Sequence, residues 1–274
     1  MTRREWMPVL MAGACGAMQA QTAEAGTKEA QAKRVIDAAI AALGGPKFMT
    51  MKDRSEAGRA YSFYRDRLTG LSRATIYTRY LMRPDPLPDP PGIYVRERQS
   101  FGKDKEDYAM LFDEKDGWQI TFRGARPAPK ETLERWRDST RRNIFYILRQ
   151  RLGEPGLKME YRGTDVFENQ GVEMVEFYDD DNTSVTVTFS RNTKLPVRQL
   201  FYRRDPVVRE RHEEVTMFSK FRPSNGVMWP WAITRTRDGA KVFEIFSDSV
   251  KINENLDDSK FLLPADMKIL PEGK

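Results

Sequence analysis

Leu71-Ser72-Arg73-Ala74-Thr75-Ile76-Tyr77-Thr78-Arg79-Tyr80-Leu81-Met82 alternates with a period of two. Ala74, Ile76, Tyr80 and Met82 fall on one side of an extended chain, with Arg73, Thr75, Tyr77 and Arg79 on the other. Such a segment predicts a β-strand. The same period runs through most of the chain, over 58–63, 93–101, 108–112, 118–122, 158–162, 172–178, 183–189, 195–203, 209–218, 227–236 and 241–252. Trp118, Ile120 and Phe122 give one of these strands a face of large apolar side chains. Glu114-Lys115-Asp116-Gly117, Asp179-Asp180-Asp181-Asn182, Arg191-Asn192-Thr193 and Asp238-Gly239 read as the turns between neighbours. Links this short require antiparallel pairing.

Two segments break the pattern with helical spacing. Val35, Ile36, Ala39, Ile40 and Leu43 recur three and four residues apart, and Gly44-Gly45-Pro46 stops the run. A longer helix is expected over 129–152. There Leu133, Trp136, Ile144, Ile147, Leu148 and Leu152 form an apolar stripe, arginines cover the opposite side, and Gly153-Glu154-Pro155-Gly156 ends it. Pro84-Asp85-Pro86-Leu87-Pro88-Asp89-Pro90-Pro91 interrupts the sheet, because proline donates no ladder hydrogen bond; it reads as a stiff surface loop or a polyproline ligand. The expected class is mainly β with helices (α+β). A sheet of about 11–12 strands curls rather than staying flat, so the architecture is a curved antiparallel half-barrel with a helical lid in its concave face.

The N-terminus bears on location. Thr2-Arg3-Arg4-Glu5 is a basic head, an apolar run follows to Met18, and Ala17-Met18-Gln19-Ala20 supplies small residues before polar Gln21. The run is about a dozen residues, well short of the roughly twenty that span a bilayer. Residues 1–20 are expected to be an export signal, 21–26 a linker and 27–274 one domain, with an exported, periplasmic location. The paired arginines also resemble a twin-arginine signal. Ala12-Gly13-Ala14-Cys15 looks like a degenerate lipobox, which makes anchoring through a lipid-modified Cys15 the alternative. Cys15 is the only cysteine, so no disulfide holds the domain and its stability rests on a packed core.

The formal charge of +6 falls to +5 on loss of Arg3, Arg4 and Glu5. Both signs are dense and intermixed. No basic block marks a nucleic-acid surface, whereas attraction to an anionic membrane suits an exported protein.

The chemistry is defined mainly by what is missing. His212, in Arg209-Glu210-Arg211-His212-Glu213-Glu214, is the only histidine, so Ser-His-Asp and Cys-His sites have little to build on. There is no HExxH, CxxC or P-loop motif, and zinc lacks its usual ligands. The acidic run at 179–182 lacks the spacing of a calcium loop and reads as a solvated hairpin turn. No cofactor and no metal are expected, and the chain reads as a non-enzyme. A hydrolase built on His212 or on a carboxylate pair is the least favoured alternative.

Thr193-Lys194-Leu195-Pro196, Arg204-Asp205-Pro206, Asn225-Gly226-Val227-Met228-Trp229-Pro230 and Arg237-Asp238-Gly239 follow one another between strands. Ile252-Asn253-Glu254-Asn255-Leu256-Asp257-Asp258-Ser259-Lys260-Phe261-Leu262-Leu263-Pro264 closes the domain. This succession resembles the LolA/LolB-like outer-membrane lipoprotein-sorting proteins. The N-terminal helix ending in Leu43-Gly44-Gly45, followed by a glycine-bearing strand, is similar to them as well, so the resemblance covers roughly 30–264. It implies an incomplete antiparallel barrel with a helical lid over a cavity for acyl chains. The family's lid-closing arginine has no unique counterpart among the many arginines here, and tyrosines and arginines on the strands make the lining less uniformly apolar.

The expected function is that of a periplasmic, monomeric carrier of lipid or of an acylated lipoprotein. Its cavity walls are expected to draw on Ile76, Tyr80, Trp118, Ile120 and Phe122, on Trp136, Ile144 and Leu148 of the lid, and on Trp229 and Trp231 across from it. Alternation says which residues share a face, not which face is concave. The competing reading is an envelope interaction protein with a filled core and the proline tract as its docking surface.

Overall fold

The computed structural model of the chain describes residues 16–88, 91–103, 106–180, 183–205 and 209–271. Most of the expected export signal, Cys15, part of the proline tract and two residues of the acidic turn lie outside them. The chain opens with α1 (Gly16–Leu43), so residues 21–26, expected to be a linker, are helical backbone. A single turn, α2 (Pro46–Met49), follows. Among the described residues no helix is long and apolar enough to cross a membrane.

Thirteen strands form one sheet: β1 (Asp53–Tyr64), β2 (Arg67–Tyr80), β3 (Val95–Gly102), β4 (Tyr108–Phe112), β5 (Gly117–Thr121), β6 (Gly124–Pro127), β7 (Lys158–Phe167), β8 (Gln170–Tyr178), β9 (Ser184–Ser190), β10 (Pro196–Arg204), β11 (Arg211–Ser224), β12 (Val227–Arg237) and β13 (Ala240–Ile252). Their order is β6-β5-β4-β3-β2-β1-β13-β12-β11-β10-β9-β8-β7. All neighbours are antiparallel, and β6 and β7 remain unpaired with each other, so the sheet curves without closing. The strand missed by sequence reading is β6, four residues after a tight turn, too short to show a period.

Pairing of β1 with β13 joins the first strand to the last and makes the two hairpin arrays one sheet. The register shifts between Ala57 and Gly58. A side chain at Gly58 would lie 2.2 Å from the Phe246 carbonyl oxygen, so this approach needs glycine. The free edge of β6 is covered by the C-terminal segment, where Ala125 N donates to Lys268 O at 2.9 Å and Leu270 N to Ala125 O at 2.7 Å.

The helix expected over 129–152 is broken. It consists of α3 (Lys130–Arg142), a turn α4 (Ile144–Tyr146) and a π-helical turn at Ile147–Arg151. Asn143 causes the break: its backbone is extended, and its side-chain oxygen accepts from Phe145 N at 3.0 Å and Tyr146 N at 3.3 Å, restarting the helix as an N-cap. The break divides the lid between two cores. Trp136 and Tyr146 pack against Ile93, Val95, Met110 and Phe112, with the Trp136 ring stacked 4.7 Å from Phe112. Ile144, Ile147 and Leu148 are fully buried among α1, Phe177, Phe201 and Phe218. Each contributes roughly 1.5–3 kcal/mol by leaving water. The start of the π-helical turn's exit is tied down by ions: Arg151 bridges Glu154 at 2.6 Å and Asp179 at 3.1 Å, and Arg141 reaches Glu154 at 2.8 Å.

Candidate functional site

The concave face does not close fully on the lid. Between α3 and β1–β5, β11–β13 lies a cavity of about 410 Å³, within the roughly 300–1,000 Å³ range of small-molecule sites. Its position follows from alternation. Ile76, Thr78 and Tyr80 of β2 project into it, while Arg73, Thr75 and Tyr77 line a groove on the other face of the sheet. Trp136, Phe145 and Tyr146 close it from the lid, and Trp229, Ile233 and Phe243 close it from the far strands.

Four of the residues expected in the wall are there: Ile76, Tyr80, Trp136 and Trp229. The others are placed differently. Trp118 and Ile120 lie on the opposite face, against Leu263 and Met267 of the C-terminal segment, because Gln119 between them takes the inward direction. Phe122 stands in the turn after β5 and is 88% exposed. Ile144 and Leu148 are in the solid core next to α1, and their neighbours Phe145 and Tyr146 face the cavity. Trp231 is half-buried under the Arg222 guanidinium, 4.6 Å from its ring, outside the cavity wall.

The lining is also more polar than expected. Arg54 and Glu56 of β1 form a buried ion pair, and Arg54 donates to Thr78 Oγ1 at 2.9 Å while Glu56 accepts from Ser247. The Arg54 guanidinium lies 4.4 Å over the Trp229 ring, which also meets the Phe145 ring at 4.5 Å. Glu97 accepts from Trp136 Nε1 at 3.3 Å and from Gln99 Nε2 at 2.5 Å. Arg135 of α3 and Arg235 of β12 complete the charged set. A ligand here meets apolar walls and a polar sheet surface together, the arrangement of sites that orient an amphiphile.

Tyr80 belongs to the wall of this cavity and to that of a larger, more open cleft of about 1080 Å³. The cleft is bounded by residues 83–87, Arg149 and Asn255. The Arg149 guanidinium lies 4.6 Å over the Tyr80 ring and donates to Met49 O. Burial raises the Tyr80 phenol above its ordinary pKa, so this residue is a neutral partition between the two spaces. Tyr146 is likewise pushed up to about 12 by burial, its oxygen accepting from Tyr94 N at 2.9 Å.

His212 does not line the cavity; it stands at the start of β11, with Nδ1 2.7 Å from Asp238 Oδ2. Asp238 also accepts from Glu213 N at 2.8 Å, so the pair fixes the turn after β12. Among the described residues no cluster of histidine, cysteine, aspartate and glutamate has metal-site geometry.

Solved structures share this architecture. A DUF1329 family protein from Desulfovibrio piger superposes with a TM-score of 0.58 over 84% of this chain and 97% of its own, at 12% identity. An outer membrane lipoprotein-sorting protein domain from Vibrio parahaemolyticus gives 0.54 over 86% and 97%, at 11% identity. A LolA superfamily protein from Nitrosomonas europaea gives 0.51 over 84% and 97%, at 14% identity. The chain therefore has the LolA-like fold expected from its turn motifs. At these identities the likeness concerns the fold alone. No protein-family model and no curated protein matches the sequence.

Proposed function

We propose that this chain is an exported, non-catalytic carrier that holds a lipid, or the acyl chain of a lipoprotein, between its sheet and the α3 lid. The observation that carries the reading is the unfilled space behind Trp136, where a filled core would have put side chains. The LolA-like fold agrees with it, as do the basic and apolar N-terminal residues that read as an export signal. The protein works in this reading as a periplasmic monomer, with anchoring through Cys15 as the alternative, and it engages no nucleic acid.

A carrier must meet a membrane, and one hairpin suits that role. At the β1–β2 tip Tyr64, Leu68 and Leu71 are 65%, 57% and 60% exposed. Arg59, Arg67 and Arg73 are exposed on the same two strands, and Arg65 is exposed in the turn between them. Aromatic and leucine side chains among arginines favour the interface of an anionic bilayer.

Native mass spectrometry of protein purified from its own envelope, followed by lipid extraction, tests the carrier reading. Stoichiometric lipid is expected. Protein that comes away lipid-free and takes up no acyl ligand when titrated overturns it.

A further inference from the structure

Arg235 lines the cavity without a paired carboxylate. Its guanidinium has no hydrogen bond and no carboxylate within 4.0 Å among the described residues, and the Phe243 ring lies 5.7 Å away. Of the other charges, Arg54 is paired with Glu56 and Arg135 with Glu131 at 3.2 Å, while Glu97 accepts hydrogen bonds from the neutral Trp136 and Gln99 side chains. Arg235 is an exposed residue of β12, and its side chain lines the cavity. Glu97 and Glu214 act on it only at longer range, and a guanidinium remains protonated at any physiological pH. The sheet register also shifts between Arg235 and Thr236. Such bulges are common beside binding sites, where they redirect a side chain.

A guanidinium that faces a cavity with no paired carboxylate can bind an anionic group through charge-assisted hydrogen bonds. Phe243 and Thr216 stand opposite it on the neighbouring strands, and apolar Ile233, Ile245 and Phe218 line the same cavity. We propose that the cavity selects an anionic amphiphile, whose carboxylate or phosphate accepts hydrogen bonds from the Arg235 guanidinium while its chain lies against these residues and the lid. Both headgroups match the guanidinium fork. This inference rests on the carrier reading and specifies the ligand for it.

The test compares three ligands with the same chain, palmitate, hexadecyl phosphate and hexadecanol, titrated into the full-length protein and read by native mass spectrometry. Both anions are expected to bind at least about tenfold more tightly than the alcohol, a difference of about 1.4 kcal/mol. The tighter anion assigns the headgroup as a fatty-acid carboxylate or a phospholipid phosphate. Arg235→Gln should remove the preference, and Arg235→Lys should keep part of it. Circular dichroism melts establish that the variants fold, and the wild-type comparison decides the matter if they do not. Equal binding of hexadecanol, or an unchanged preference in folded Arg235→Gln, overturns the assignment and leaves the carrier reading standing. Failure of all three ligands to bind overturns both.

Discussion

The indole Nε1 of Trp136 donates to the Glu97 carboxylate at 3.3 Å, joining the lid to the concave wall of the sheet. The same ring stacks on Phe112 at 4.7 Å and closes one side of the cavity. Lid position and cavity shape therefore depend on one side chain.

Trp136→Ala should cost about 3–5 kcal/mol, as expected for removal of a buried aromatic. Trp136→Phe keeps a ring beside Phe112 and removes the donor to Glu97, which still accepts from Gln99, so its cost should be smaller, about 1 kcal/mol for the lost hydrogen bond plus a little for the smaller ring. Urea unfolding of the two variants checks the order. Equal losses would mean that the hydrogen bond, not the packing, holds the lid.

Asn143 divides the lid into a cavity-closing part and a core-anchored part. Asn143→Ala removes the N-cap of α4 and should cost about 0.5–2 kcal/mol. Asn143→Asp should retain most of that stability, since aspartate caps equally well. Thermal melts that ranked the aspartate variant with alanine would remove the capping explanation.

Most of the sheet was legible because alternation survives in a half-buried strand: Ile76 and Tyr80 point inward, as their shared face demands. Trp118 and Ile120 show where that logic stops. Alternation does not carry the sign of the face, and a C-terminal segment with Leu263 and Met267 covers the convex side and gives it a second apolar layer. The helix break at Asn143 is a local competition between a capping side chain and a helical stripe, decided by one extended residue. The charged lining was hidden for a different reason. Arg54, Glu56, Glu97 and Arg235 look like ordinary solvated strand positions, and they line one cavity only because β1 pairs with β13.

A bulky side chain in the wall should empty the cavity without unfolding the protein. Ile76 faces the space and is half-buried, so Ile76→Trp has room that a packed core position lacks. Acyl-ligand binding should fall at least about tenfold, with Tm changed by only a few degrees, because the added ring fills existing space. Full binding by a folded Ile76→Trp variant would place the ligand outside this cavity.

Glu114 gives the fold one acid-sensitive tie. Burial alone would raise its pKa, but Arg96 grips it in a fork, Nε to Oε2 at 3.0 Å and Nη2 to Oε1 at 2.9 Å, and the net shift is downward. A depressed carboxylate stabilises the fold fully above its unfolded pKa of about 4.3. That contribution is lost as pH falls through the lower folded value. Because the pair is partly exposed, the effect should be under about 1 kcal/mol. Glu114→Gln should therefore lower stability at pH 7, and the difference from the wild type should shrink steadily as pH falls below the usual carboxylate range. Stability curves that stay parallel over that fall in pH would show that the pair contributes nothing.

The β1–β2 hairpin carries the membrane-facing prediction. Leu68→Asp and Tyr64→Asp place negative charge where the tip is apolar and flanked by arginines, and both side chains are exposed. Neither change disturbs a buried contact, so unfolding midpoints should stay within about 0.5 kcal/mol of the wild type. Co-sedimentation with vesicles of phosphatidylglycerol and phosphatidylethanolamine should drop several-fold for either variant. Binding by the wild type should weaken as salt rises, because the arginine contribution is screened within a Debye length of about 10 Å at 0.1 M. Cavity binding of palmitate should be unaffected, since Tyr64 and Leu68 do not line the cavity. Wild-type sedimentation that is absent at low salt, or unchanged in both variants, would remove the hairpin as the membrane contact and leave the cavity assignment untouched.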